Sequence, residues 1–243
     1  QQLGGVQRRV TARALVNAAG PWVARFLDEA TCQPAAHHPR MIKGSHIVVP
    51  RLFGHEFAYI FQAPDGRVVF AIPYEREFTL IGTTERDYVG DLATPRIDEV
   101  EIDYLLEMAN RYFSRDLRRA DVVWTFAGLR PLLAASGDDP KSVTRDYRID
   151  LDPHGPPLLS IYGGKVTTYR KLAEDVVDLL APRLACPGVA WTAGRPLPGG
   201  DLPDADFAAF LAALSARTPW LPAELRQRYA RAYGTRVERL LDG

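Results

Sequence analysis

Three basic side chains follow strand-like segments and could bind a phosphate group. Arg130 lies in a turn framed by glycine and proline, Arg145 opens a predicted strand, and Lys165 follows two glycines. A guanidinium offers planar, paired donors that match a phosphate dianion, so this cluster is a candidate site for a phosphomonoester. The plainer alternative is a surface ion pair, for instance between Arg145 and Asp146 or Asp121.

His46 is the candidate acid–base residue. It leads into the apolar run Ile47–Val49, and an imidazole at the start of a strand could take the proton of a substrate hydroxyl. The alternative is a half-buried imidazole bonded to backbone. Glu85 and Asp87 form a carboxylate pair at a strand end, but a solvated charged loop fits that pair better.

Small residues at two strand-to-helix turns could approach a phosphate or a flavin. Ala18-Ala19-Gly20-Pro21 links a strand to a helix, and so does Gly163-Gly164-Lys165-Val166-Thr167-Thr168. Glycines let backbone come close to a ligand, Thr167 or Thr168 could cap the exposed N–H groups, and the positive helix end favours negative charge. A tight turn without a ligand is the alternative. The chain carries no Gly-x-Gly-x-x-Gly motif.

The elements that must position these residues follow from hydrophobic periodicity and turn residues. Predicted strands cover 10–17, 41–49, 57–62, 68–73, 78–83, 122–126, 145–150 and 158–162, and predicted helices cover about 21–30, 97–114, 167–180, 206–216 and 222–241. This order predicts a strand–turn–helix, an inserted antiparallel sheet, a return to strand–Gly-Gly–helix, and a helical tail. Pro64-Asp65-Gly66 predicts a hairpin turn within the sheet, because proline presets one turn position and glycine supplies a positive φ. The segment 186–203 is rich in proline and glycine and is predicted to be a linker.

Composition excludes several classes of protein. The 243 residues include 30 basic and 30 acidic side chains, so the chain has no overall charge suited to nucleic acid. Only two cysteines occur, with no histidine or cysteine at metal-ligand spacing, which disfavours disulfide scaffolds and zinc sites and is typical of the cytoplasm. No apolar run approaches the roughly 20 residues of a membrane span, and no signal peptide opens the sequence.

Six motifs in order resemble the FAD-dependent glycerol-3-phosphate dehydrogenases. The resemblance covers about Arg9 to Leu241 and rests on Val16–Trp22, Ile42–His46, Ile81–Thr84, Gly128–Pro131, Thr144–Tyr147 and Gly163–Lys171. It implies a mixed α/β and α+β fold. A partial, glutathione-reductase-like FAD-binding domain (1–32 and 128–185) would carry an inserted antiparallel-sheet substrate domain (33–127). A linker and the start of a C-terminal helical domain (186–243) would follow. The expected chain is a fragment that lacks the N-terminal glycine loop.

The resemblance also implies roles for the candidate residues. Arg130, Arg145 and Lys165 match substrate-pocket positions, His46 matches a nearby histidine, and the base would be His46 or Lys165. Positions near the flavin are matched by Ala19, Gly20, Gly163, Gly164, Lys165, Val166, Thr167 and Thr168. The implied reaction of the parent is oxidation of sn-glycerol 3-phosphate to dihydroxyacetone phosphate, with hydride transfer to FAD and electrons passed to quinone.

Alternatives remain at this point. Within the same fold, an oxidase using dioxygen or an amino-acid-oxidase-like flavoenzyme would fit, although the basic cluster favours a phosphorylated substrate. A non-catalytic fragment acting as a binding module is the rival from another class. The arginine-rich helix predicted over 222–241 could lie on anionic lipid at the inner face of the cytoplasmic membrane, or pack on its own protein. A homodimer is also among the expected assemblies.

Overall fold

A computed structural model describes residues 9–31, 34–133, 146–152, 154–186 and 188–241. The chain divides into two compact units, Gln1–Pro187 and Gly188–Gly243. The strands are β1 (Leu15–Asn17), β2 (Arg40–Pro50), β3 (Tyr59–Gln62), β4 (Val68–Tyr74), β5 (Phe78–Gly82), β6 (Arg86–Asp87), β7 (Trp124–Leu132), β8 (Arg148–Leu151) and β9 (Leu158–Tyr162). The helices are α1 (Val23–Ala30), α2 (Glu99–Tyr112), α3 (Tyr169–Leu184), α4 (Phe207–Arg217), α5 (Ala223–Tyr233) and α6 (Val237–Leu241).

The smaller sheet of the first unit has the order β1-β9-β8. β1 and β9 are parallel, and β8 is antiparallel to β9. Helix α1 packs through Val23 and Leu27 against Tyr162, whereas α3 packs through Val176 and Leu180 against Leu159. Each turn predicted to bind a ligand therefore lies between a strand of this sheet and a helix that packs on the sheet.

The larger sheet is antiparallel and has six strands. Its order is β3-β4-β5-β2-β6, and β7 pairs with β2 along the other edge of that strand. β3 and β4 form the predicted hairpin, in which Gly66 has a positive φ of 80° and donates its N–H to Ala63 O at 2.8 Å. The long central strand β2 is thus bonded to β5 and β6 on one side and to β7 on the other.

The core lies on one face of this sheet, under α2. Alternate strand residues point toward the helix, so that Ile47, Val49, Val69 and Ile81 are buried against its apolar stripe, which includes Leu105. Complete burial of one such side chain contributes roughly 1.5–3 kcal/mol.

The opposite face of the larger sheet is here called the front face. It carries Gly44, His46, Gly82, Phe126 and Arg130, as the register of β2 with β5 and β7 requires.

The mixed fold class and the inserted antiparallel sheet are confirmed, but three local predictions were wrong. The first strand is limited to Leu15–Asn17, the residues that pair with β9. β7 continues through Leu132, because residues Trp124–Leu132 stay paired with β2, so that Arg130 lies within a strand rather than in a turn. The last predicted helix is two helices that are separated at Gly234, where φ is 53°.

The second unit is helical. Leu214, Ala230 and Val237, one from each of its three helices, form its buried core. Arg226 donates to the carbonyl oxygens of Thr218 and Leu221 at 2.8 and 3.1 Å. This arginine therefore caps backbone acceptors of its own unit.

Candidate active site

His46 sits in the middle of the front face, between two neighbouring strands. Its direct partners across the sheet are Gly82 on β5 and Phe126 on β7. The imidazole stacks on the Phe126 ring, with 4.7 Å between centroids and an interplanar angle of 8°. A β-carbon added at Gly82 would lie 2.1 Å from Cδ2 of His46, so only glycine leaves room for the ring in this orientation.

The surroundings of His46 favour the neutral imidazole. Burial lowers the pKa of His46, and the positive charge of Arg130 lowers it further. Its Nδ1 atom is buried, and no hydrogen-bond partner for it occurs in the part of the chain that the structure describes. A neutral imidazole can accept a proton at neutral pH.

Arg130 lies one strand away from His46 on the same face. It is half-buried and pairs across the sheet with Ile42, and its Nη2 donates to Thr83 Oγ1 at 3.2 Å. A β-carbon added at Gly44 would lie 2.3 Å from its Nη1, so the guanidinium rests on the backbone of β2. Gly44 precedes His46 by two residues, and strand geometry places both on the front face. The site therefore combines a proton acceptor and a fixed positive charge.

Both glycine-containing turns lie beside β7. The short 3-10 helix Gly20–Trp22 lies beside β7, and Gly20 has a φ of 56° with open space where a β-carbon would be. Gly163 and Gly164 have φ of 71° and 99°. A β-carbon at Gly163 would lie 3.5 Å from Pro131 O, next to Arg130. The second of these turns therefore lies next to Arg130, the candidate for phosphate binding.

A buried asparagine holds the first of these turns. Asn17 Nδ2 donates to Val23 O at 3.0 Å and contacts Ser160 Oγ at 3.5 Å, and Asn17 Oδ1 accepts the Ala19 N–H at 3.4 Å. These bonds tie the end of β1 to the start of α1 and to β9. The turn with Ala19 and Gly20 is therefore fixed by a side chain that the sequence interpretation did not single out.

Other predicted site residues have different outcomes. Lys165 is exposed and precedes the 3-10 helix Val166–Thr168. The predicted capping of exposed N–H groups was wrong at Thr168, the N-cap residue of α3. Its side chain caps no backbone N–H group; instead, Thr168 Oγ1 donates to Lys165 O at 3.1 Å. Arg145 lies outside the described residues. The charged loop expected around Asp87 was wrong at this residue, which lies in strand β6 and pairs with Arg40.

Sequence interpretation missed the residues that shape the site without doing chemistry. Gly44 and Gly82 provide space for the two functional side chains, Phe126 stacks on one of them, and Thr83 bonds the other. Gly44 and Thr83 belong to motifs that carried the resemblance, yet their contacts join strands distant in sequence. No local pattern could have revealed those contacts.

Comparison with known proteins identifies the protein family to which the chain belongs. Residues 1–170 match the FAD-dependent oxidoreductase family, and the chain belongs to that family. The cofactor of this family is FAD, as the sequence predicted. The positive-φ glycines at the two turns, with open space above Gly20, fit close approach of such a group to backbone.

Individual relatives show which enzymes the chain is similar to. The chain is 52% identical to a glycerol-3-phosphate dehydrogenase of Pseudomonas aeruginosa over 96% of its length, covering 46% of that protein. It is 48% identical to the aerobic glycerol-3-phosphate dehydrogenase of Escherichia coli (95% and 46% covered). It is also 42% identical to a D-erythritol 1-phosphate dehydrogenase of Brucella abortus (98% and 48% covered). The chain therefore spans about half the length of the curated relatives that it matches.

A solved structure shows the same fold. The glycerol-3-phosphate dehydrogenase of Bacillus halodurans, complexed with FAD, is 35% identical and superposes with a TM-score of 0.82, covering 96% of this chain and 45% of that one.

Within the described part of the chain, no helix is long and apolar enough to cross a bilayer.

Proposed function

We propose that the full-length protein containing this chain oxidises sn-glycerol 3-phosphate to dihydroxyacetone phosphate with FAD as cofactor. The observation that carries the proposal is the placement of His46 and Arg130 on the same face of one sheet, each resting on a glycine of a neighbouring strand. A phosphorylated secondary alcohol needs these two functions together, a proton acceptor for its hydroxyl and a cation for its phosphate. Relatives named for two phosphorylated polyols support this substrate class.

His46 acts as the proton acceptor in this proposal. The hydroxyl proton at C2 passes to the neutral imidazole, whose lowered pKa keeps it unprotonated at neutral pH. The hydrogen on C2 leaves with its electron pair, so that a C=O bond forms as the O–H and C–H bonds break. FAD, when bound, supplies the acceptor for that hydride. Lys165 is the alternative base, but it is exposed in the described chain.

Arg130 holds the phosphate and orients the substrate. Its guanidinium is fixed by Thr83 and by the backbone at Gly44, which limits the entropy lost when a substrate binds. Lys165 and Arg145 are proposed to complete the basic cluster. A fixed donor set of this kind contributes both orientation and charge neutralisation.

The two turns are proposed to hold the cofactor. Ala19 and Gly20 form one part of this site, and the segment 163–168 forms the other (Gly163, Gly164, Lys165, Val166, Thr167 and Thr168). The positive end of α3 follows the second turn and favours negative charge near it. The proposed domain division follows the sequence expectation, with 1–32 and 128–185 around the cofactor and 33–127 around the substrate, except that residues 128–132 go with the substrate part because they belong to β7 of the larger sheet.

The proposed electron acceptor is a membrane quinone, reached by peripheral contact at the inner face of the cytoplasmic membrane. The arginine-rich segment 222–241 is the proposed contact, although Arg226 already caps backbone within its own unit. Vesicle sedimentation of the full-length protein with anionic and with neutral lipid tests this proposal. Equal recovery in both supernatants would remove the membrane contact.

Anaerobic flavin reduction tests the reaction itself. The full-length protein, loaded with FAD, is mixed with glycerol 3-phosphate while the flavin absorbance near its long-wavelength maximum is followed. Prompt bleaching is expected, and oxygen or a soluble quinone added afterwards identifies the acceptor. A stable oxidised spectrum in a folded, FAD-replete protein would refute the substrate; erythritol phosphates are then the next compounds to try.

Replacement of Arg130 tests its role. Arg130→Lys keeps the charge but loses the paired donors and the bond to Thr83, so KM for glycerol 3-phosphate should rise about tenfold or more. Arg111→Lys is the matched control, because Arg111 lies on α2 and pairs with the exposed Glu107. Unchanged KM in the Arg130 variant would remove this residue from the site.

A further inference from the structure

A buried carboxylate lies directly behind the candidate site. Glu101, on α2, is 1% exposed. Its Oε1 accepts hydrogen bonds from Ser45 Oγ at 2.9 Å and Thr84 Oγ1 at 2.7 Å. Its Oε2 lies 2.8 Å from Lys43 Nζ and accepts the Asp98 N–H at 3.0 Å. Every contact joins the helix to β2, to the segment after β5, or to the start of the helix itself.

The partners of Glu101 alternate with the residues of the site. Lys43 and Ser45 flank Gly44, and Ser45 is directly followed by His46. Because side chains alternate along a strand, Lys43 and Ser45 point to Glu101 while Gly44 and His46 point to the front face. Glu101 therefore bonds β2 at the two positions on either side of the glycine that supports Arg130.

The segment after β5 is held in the same way. Thr84 directly follows Thr83, the residue that accepts a hydrogen bond from Arg130. Thr84 Oγ1 also accepts the Ser45 N–H at 2.9 Å, and Thr84 N donates to Ser45 O at 3.3 Å. The two chain segments that carry His46 and Thr83 are thereby fixed to each other through the carboxylate behind them.

We propose that Glu101 is a positioning residue for the oxidation, one that sets the relative placement of His46 and Arg130 through Ser45 and Thr84. The inference rests on the proposed function, because it assigns these two residues to the reacting site. A carboxylate suits this position since it accepts from two hydroxyls, one backbone N–H and one ammonium at once. An apolar side chain would leave all four donors buried without that acceptor.

Lys43 balances the buried charge. Burial lowers the pKa of Lys43, but the hydrogen bond and charge of Glu101 and the nearby Asp98 outweigh that effect, so the pKa of Lys43 is raised overall. Its Nζ also donates to Arg96 O at 2.9 Å. The charges of Lys43 and Glu101 are therefore paired, and the hydrogen-bond donors of this network are directed at acceptors, which makes the arrangement rigid.

The test begins with Glu101→Gln in the full-length, FAD-loaded protein. An amide of the same shape can still accept from the two hydroxyls, but its NH₂ then faces Lys43 Nζ and the Asp98 N–H, which are both donors. We expect the rate constant of flavin reduction at saturating glycerol 3-phosphate to fall about tenfold or more, since small misplacements of reacting groups are costly. Glu99→Gln, an exposed carboxylate two residues away that pairs with Arg119, should stay within about twofold.

A second pair of variants avoids any change in charge. Thr84→Val is nearly isosteric but loses the bonds to Glu101 and Ser45, whereas Thr84→Ser keeps the hydroxyl. We expect Thr84→Val to slow flavin reduction like the Glu101 variant and Thr84→Ser to restore a rate within about twofold of the original. If Glu101→Gln does not fold, the threonine pair still decides the question.

The pKa of His46 gives a readout that does not depend on the substrate. It is measured by NMR on full-length protein with labelled histidine, and its signal is assigned by loss in His46→Gln. A displaced β2 exposes the ring and moves it from Arg130, so its pKa should rise in Glu101→Gln and Thr84→Val; Gly82 and Phe126, the facing positions on β5 and β7, carry no charge. Merely deleting the negative charge of Glu101 would lower that pKa instead.

The outcomes separate the two proposals. Original flavin-reduction rates and an unchanged His46 pKa in folded Glu101→Gln and Thr84→Val would overturn the positioning role. A failure of the unmodified protein to be reduced by glycerol 3-phosphate would overturn the proposed substrate alone. In that case the His46 pKa in the four variants still tests whether Glu101 places the ring.

Discussion

The imidazole of His46 lies against the α-carbon of Gly82, so closely that a methyl group there would approach Cδ2 to 2.1 Å and Cγ to 2.7 Å. These residues face each other across β2 and β5. Arg130 on β7 likewise lies over Gly44 on β2, although its direct partner across the strands is Ile42. Two candidate site residues thus each lie over a glycine of the same sheet, and a side chain at either glycine would have to displace one of them.

Gly82→Ala should displace His46. The added methyl group must move a ring that is already stacked on Phe126, and overpacking of this kind costs about 1–3 kcal/mol of stability. We expect kcat/KM for glycerol 3-phosphate to fall about tenfold to a hundredfold in the full-length protein. Gly54→Ala is the control, because no atom lies within 4 Å of its added β-carbon; equal kinetics in the two variants would contradict the argument.

Gly44→Ala should act on substrate binding more than on turnover. The added β-carbon would meet the guanidinium of Arg130, the end of a flexible side chain, at 2.3 Å from Nη1. That group can move, so the loss of stability should be small while the phosphate contact is displaced. A KM about tenfold higher with little change in kcat is expected from steady-state kinetics. The opposite pattern would place Arg130 in the chemical step.

The reaction should depend on the protonation of His46. Burial and Arg130 lower the pKa of this imidazole below its ordinary value of about 6.5. The profile of kcat/KM against pH should therefore rise through a pKa below about 6.5 and level off above it. Loss of that acidic limb is expected in His46→Gln, and its persistence would assign the limb to another group.

The same pKa shift affects folding stability. The folded state binds a proton at His46 less readily than the unfolded state, so stability is greatest above the unfolded pKa of about 6.5 and falls as pH drops through the lower folded pKa. His46→Gln should weaken this dependence, as measured by urea denaturation between about pH 5 and 7. An equal slope in the original protein and the variant would refute the contribution.

Asn17→Ala should loosen the first cofactor turn. The variant leaves Val23 O and the Ala19 N–H without their side-chain partner. Losing hydrogen bonds at a buried position costs about 1–3 kcal/mol, so a lower unfolding midpoint and reduced FAD retention after gel filtration are expected. Gln62→Ala, at an exposed position on β3, should retain FAD like the original protein.

Much of the fold could be predicted because its signals are local. Strand β2, the Pro64-Asp65-Gly66 hairpin and the amphipathic helix α2 lie where the sequence predicted them. Arg130 was placed in a turn because glycine and proline surround it, yet pairing with β2 keeps this segment extended. Pairing between distant strands overrode the local preference there.

The site could be predicted only as a list of residues. His46 and Arg130 were proposed as site residues from their chemistry, whereas Gly44, Gly82 and Glu101 were not singled out for the contacts that they make. Those contacts join residues that are far apart in the chain, and one of them is the space left by a missing side chain. Neither kind of information is present in a local sequence pattern.

The front face is built from one uninterrupted stretch, Arg40–Leu132, that contains His46, Gly82 and Arg130 together. A single genetic exchange spanning this stretch would transfer the proposed base, the proposed cation and the two glycines beneath them as one inherited block.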